Sequence, residues 1–179
     1  MAKNRLSPDD WLSAGFHALS EKGPAALKAE PLARALDTTK GSFYWHFTDV
    51  PSFQTAMLKL WETRAFDDIK DALHGEANPV KRLRALEVIA ANSTGIEPAI
   101  RAWSRENTLV AQAVQRVDDR RLQYIADLLA EIGLTNSDLP RMVYGAYIGM
   151  HDLTTRDEKP NTEAMGTLID LILALYETE

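Results

Sequence analysis

Nowhere in the 179 residues does polarity alternate with the period of two that a half-buried strand requires. Apolar side chains recur three and four positions apart instead, which restricts the chain to helices packed on helices. Leu12, Phe16 and Leu19 form the first stripe. Ser7 is placed to cap that helix, Pro8 suits its first position, and Asp9 and Asp10 favour its positive end. Gly23-Pro24 stops it. The spacing predicts two short helices next, about 30–36 and 40–47, with Leu32, Ala33 and Leu36 inward on one and Phe43 and Phe47 inward on the other. Asp37-Thr38 forms the turn between them and Thr39 caps the second. Thr48-Asp49 opens a fourth helix carrying Phe53, Met57, Leu60 and Trp61.

Beyond His74-Gly75 the chain reads as a larger helical body. Helices are expected from Pro79, with Leu83, Leu86 and Ile89–Ala90 inward, and then in a short segment through Trp103. Three more follow, over about 106–132, 138–150 and 162–176. The fold class is thus all-α with about nine helices, divided into residues 1–50 and 51–179. The 45% hydrophobic and 26% charged content is that of a globular chain. The absence of cysteine excludes disulfides, thiolate metal sites and thiol catalysis. The apolar run from Leu168 to Tyr176 is interrupted by Asp170 and is far short of the ~18 residues a membrane-spanning helix needs. MAKNRLSPDD has no apolar core of a secretory leader, so a cytoplasmic protein is expected.

Two short helices joined by a tight turn and preceded by a longer one fit a helix-turn-helix, whose second helix enters the major groove. Lys40 suits a phosphate, Gly41 permits close backbone approach, and Ser42, Tyr44, Trp45 and His46 offer polar or amphipathic side chains. The same aromatic run also suits a plain core element. Charge does not separate the two: residues 1–50 are neutral, and the remainder carries the whole net charge of −6.

The stretch LARALDTTKGSFYWHF, residues 32–47, resembles the DNA-binding signature of the TetR family of transcriptional regulators, and GSFYWHF is its most specific part. The resemblance covers about residues 5–60. It implies a three-helix DNA-binding domain, a helical effector-binding and dimerisation domain, and a homodimer on a palindromic operator in double-stranded DNA. It implies a repressor released by a small-molecule effector; no cofactor or metal is expected. By position it places Thr39, Lys40, Gly41, Ser42, Tyr44, Trp45 and His46 on the recognition helix, with Tyr44 and His46 on the phosphate backbone. Two departures stand out. Asp37 occupies a turn position where the family often has glycine, and Val50-Pro51 replaces a lysine usual near the start of the fourth helix.

Enzyme chemistry has little support. His17, His46, His74 and His151 are scattered, and no metalloprotease, nucleophile-elbow or phosphate-loop pattern occurs. A helical small-molecule carrier or enzyme without DNA binding is the alternative class, and a carrier would ignore every duplex. In the body, Val110, Val114, Val117, Ile125, Leu128 and Ile132 share one helix face with Arg121 at its centre. A charge there is costly unless paired. Either Arg121 meets an effector or it forms a structural ion pair. Trp103, Asn107, Tyr124, Tyr144, Tyr147 and His151 are further lining candidates. For dimerisation, Met142, Gly145, Ala146, Gly149 and Met150 form a face with small side chains. Leu168, Leu171, Ile172 and Leu175 form a second stripe. Packing of the small face within one subunit is the alternative.

Overall fold

The computed structural model describes the backbone of residues 6–72, 75–92 and 95–176, with the side chains of residues 66–72, 87–92, 155 and 175–176 excluded. Nine α-helices are found among the described residues: α1 (Pro8–Lys22), α2 (Ala29–Ala35), α3 (Lys40–Tyr44), α4 (Val50–Ala72), α5 (Pro79–Asn92), α6 (Ile96–Ser104), α7 (Thr108–Glu131), α8 (Asp138–Asp157) and α9 (Thr162–Tyr176). A single 3-10 turn, Pro24–Ala26, follows α1. The chain divides into two compact units, residues up to 64 with 95–114, and 65–94 with the remainder from 115.

Local chemistry sets the helix ends. Ser7 caps α1 in a reciprocal box: its hydroxyl accepts from the Asp10 amide at 3.3 Å, and its own amide donates to Asp10 Oδ2 at 2.7 Å. These bonds hold the Asp10 carboxyl below the usual carboxylate range. At the end of α2 the Thr38 amide reaches back to the Ala33 carbonyl at 2.9 Å, and the Asp37 amide reaches Arg34 at 3.2 Å. This is a Schellman ending, and Asp37 takes its left-handed position with φ 49°. Asp49 and Ser52 cap α4 reciprocally: the Ser52 amide donates to Asp49 Oδ1 at 2.7 Å, and the Asp49 amide to Ser52 Oγ at 3.2 Å.

The core of the first unit is aromatic. Phe43 is fully buried, with ring centroids 5.3 Å from Trp11, 5.4 Å from Phe47 and 5.3 Å from Phe53. Gly15 lets α4 lie close to α1: a Cβ there would come within 2.6 Å of Phe53 and 2.7 Å of Met57. In the second unit, Leu83, Ile125, Leu129, Ile132, Val143, Ile169, Ile172 and Leu173 form one buried cluster contributed by α5, α7, α8 and α9.

Three expected boundaries shift. The third helix closes at Tyr44 instead of Phe47, and residues 45 and 46 continue as a turn. The penultimate helix runs on past Met150 to Asp157 and ends where Glu158 takes φ 58°. His151 therefore sits within a helix. The long helix starts at Thr108, because Asn107 caps it by accepting from the amides of Leu109 at 3.0 Å and Val110 at 3.2 Å. Ile89–Ala90 and His74 lie outside what the structure describes.

Candidate nucleic-acid interface

The helix α3 is five residues long, too short to be stable alone. It exists because Phe43 anchors it from below and Thr39 caps it from in front. Thr39 is extended, φ −97° and ψ 151°, and its hydroxyl accepts from the Ser42 amide at 3.4 Å. With Phe43 and Phe47 turned inward, the remaining side chains are forced outward. Tyr44 is 46% exposed and Trp45 is 78% exposed. Lys40, Gly41 and Ser42 reach solvent or its edge. The core-element reading of the aromatic run thus holds for the phenylalanines alone.

The outward residues fall into two sets. Lys40 Nζ sits 5.9 Å from the centroid of the Tyr44 ring, so the cation and the phenol share one flank. Thr39, Gly41, Ser42, Trp45 and His46 line an open depression on the other. A Cβ added at Gly41 would meet only Thr39 Oγ1, at 3.6 Å, which is ordinary contact. Nothing within the chain therefore demands glycine at this position, although glycine weakens a helix by about 1 kcal/mol relative to alanine. All seven residues assigned to recognition by the sequence are brought together on this surface.

The candidates in the body separate into groups. Arg121 Nη1 donates to Tyr144 Oη at 3.3 Å, and its guanidinium lies 5.8 Å from the Tyr147 ring. Tyr144 Oη donates to Asp118 at 2.7 Å. The Tyr144, Tyr147 and His151 rings stack in sequence, at 5.8 and 6.2 Å. Asp118 was not foreseen, although its position one helical turn before Arg121 is a readable signal. Tyr124 joins a different group, beside Arg82, which pairs with Glu131. Burial pushes the Tyr124 phenol up, and the Arg82 guanidinium partly opposes this. Trp103 is a buried core residue of the first unit, and Asn107 is occupied as the cap of α7.

The small face of α8 points outward. Met142 is 61% exposed, and a Cβ at Gly145 or Gly149 would meet nothing within 4 Å. Ala146 and Met150 are half-buried. Packing of this face inside the subunit, the alternative to a partner contact, is absent at both glycines among the described residues. On α9, Leu171 is 64% exposed, whereas Leu168 packs on the subunit's own core and Ile172 is buried in it. Ile172 is thus turned away from any partner, because α9 packs through Met165, Ile169, Ile172 and Leu173. The Leu175 side chain lies outside the described residues.

A short, externally anchored helix presented after a tight turn, with its phenylalanines inward and Lys40, Ser42, Tyr44, Trp45 and His46 left outward, has the geometry of a helix-turn-helix. The family model for bacterial regulatory proteins of the tetR family matches residues 12–49, the segment from α1 through the turn before α4. Over these residues the chain is similar to the bacterial regulatory proteins of that family. Solved structures share the fold over nearly the whole chain. A TetR-like transcriptional regulator from Rhodococcus sp. RHA1 is 17% identical, with a TM-score of 0.76 and 96% of each chain covered. The fatty acid degradation regulator FadR from Bacillus halodurans is 16% identical, with a TM-score of 0.74 and 96% of each chain covered. A protein from Saccharomonospora viridis solved in complex with choline is 16% identical, with a TM-score of 0.77, covering 93% of this chain and 95% of that one. No curated protein matches. Among the described residues no helix is long and apolar enough to cross a membrane, and no three His, Asp or Glu side chains gather as a metal site.

Proposed function

We propose that the chain is a homodimeric, cytoplasmic repressor that leaves a palindromic operator when a small molecule binds its body. In this reading residues 1–50 dock on DNA, and residues 51–179 bind the effector and dimerise. The observation that carries it is the α3 surface: a recognition helix whose fold leaves Lys40, Tyr44, Ser42, Trp45 and His46 directed outward around a glycine the chain itself does not require. Lys40 and Tyr44 hold phosphate, and the opposite flank reads bases.

A two-fold contact must hold two recognition helices roughly 34–36 Å apart, or a multiple of that, to read a palindrome. The outward face of α8, with Met142, Gly145 and Gly149, and Leu171 on α9 supply a partner surface in which missing side chains allow close helix approach. The effector site centres on Arg121, Tyr144 and Tyr147, where a cation and two stacked phenols meet. Effector binding favours a dimer whose half-site spacing no longer fits the operator. One fold relative carries choline and another is a regulator of fatty acid degradation, so the chemistry of the effector is not carried over from them.

The test is binding of the intact protein to duplexes selected from a randomised pool, at several salt concentrations. Lys40→Ala is expected to weaken binding to all duplexes and to flatten the salt dependence by about one phosphate contact. A Lys40→Ala and Tyr44→Ala double variant with unchanged affinity would refute the recognition-helix assignment.

A further inference from the structure

The major groove offers a protein one apolar feature: the C5-methyl group of thymine. Hydrogen-bonding side chains read the other groove-edge groups, whereas the methyl needs an apolar wall and room to sit against it. The α3 surface supplies both. Trp45 is 78% exposed, more than any other large hydrophobic residue described, and it lines the same depression as Gly41. An indole left this far in water has most of its apolar area still available to a partner. Beside it, the position that would narrow the depression carries no side chain, and a Cβ there would touch nothing of the chain closer than 3.6 Å. Thr39, Ser42 and His46 are the polar members of the lining, and Trp45 is its one large apolar side chain.

We propose that Trp45 and Gly41 form a thymine-methyl reader, so that each operator half-site contains one thymine whose methyl group packs against the indole over the glycine. The inference rests on the placement of residues 39–46 in the major groove. Lys40 and Tyr44, on the other flank, take no part in it.

The experiment uses the full chain and the duplex it selects from a randomised pool. Each thymine of a half-site is replaced in turn by uracil, which keeps every hydrogen-bonding group and removes only the methyl. Burying one methyl is worth about a fourfold change in affinity, so one position per half-site should show about a fourfold loss, and about fifteenfold when both half-sites are changed. In Trp45→Ala, which is exposed and leaves the core intact, affinity falls but the uracil penalty at that position disappears. In Lys40→Ala, affinity falls while the penalty persists. A uracil penalty that survives Trp45→Ala unchanged overturns the proposal, as does a half-site in which no thymine is sensitive. Failure of the folded wild-type chain to select any duplex would instead overturn the DNA-binding assignment beneath it, and the two failures are distinguished by that first step.

Discussion

Replacing Gly41 by alanine should separate stability from binding. Within the chain the new methyl meets Thr39 Oγ1 at 3.6 Å and nothing nearer, so no strain opposes it. Alanine also loses less backbone freedom on folding, and at a position whose native conformation it can adopt the gain is about 0.4–1 kcal/mol. For a chain of this size that raises Tm by roughly 1–4 °C. On the operator the same methyl enters the space where a base edge packs. Overfilling a close-packed contact costs about 1–3 kcal/mol, which corresponds to roughly a 5- to 150-fold loss of affinity. Thermal melting followed by circular dichroism, together with fluorescence anisotropy on a labelled operator, reads both quantities from one preparation. A higher Tm with unchanged affinity would refute the reasoning, because it would mean that nothing approaches the backbone at Gly41. A lower Tm would refute it differently, by showing that glycine serves the fold.

Asp37→Gly should be neutral or stabilising by up to about 1 kcal/mol, and Asp37→Val clearly destabilising, because φ is 49° at this position; thermal melts of the pair decide it, and a loss of stability in the glycine variant would show that the aspartate side chain has a further task. Arg121→Met should stay folded, since Tyr144 keeps its bond to Asp118, and should hold operator DNA while no longer responding to a compound that releases the wild type. A folded variant with normal release refutes the pocket role, and a loss of about 3–5 kcal/mol would mark a structural ion pair instead. Gly145→Leu, placed where the chain has open space, should give a helical protein that sediments as a monomer and loses operator affinity in parallel. A helical variant that remains fully dimeric puts the interface elsewhere.

Helix starts were legible because caps and prolines are local: Ser7-Pro8, Thr39 and Asp49 each act within one turn. Helix ends were less so. Nothing between Met150 and Pro160 breaks a helix by composition, and the stop at Glu158 is a left-handed residue that the sequence does not advertise. The recognition surface was legible through the spacing of Phe43 and Phe47, which fixes which side of α3 is left over. The α9 stripe was misassigned at Ile172 for the converse reason. With Leu168, Ile169, Leu171, Ile172 and Leu173 nearly contiguous, periodicity gives two overlapping apolar faces, and packing on Met165 and Ile169 decides between them. The body's polar group was half visible. Arg121 stood out as a charge in an apolar stripe, whereas Tyr144 and Asp118 meet across 26 residues, a distance at which local pattern carries no information.

Phe43 has one consequence for how such a regulator changes over time. It is enclosed by Trp11, Phe47 and Phe53, and these rings hold the recognition helix from a side that never meets DNA. Ser42, Trp45 and His46 are not among those rings, and they line the open depression on the outer side of the helix, so exchanging them leaves the buried rings in place. After gene duplication, one copy could drift toward a new operator through these outward positions alone, each intermediate remaining folded. A change at Phe43 offers no such path, since it would alter the helix and the core of its unit together.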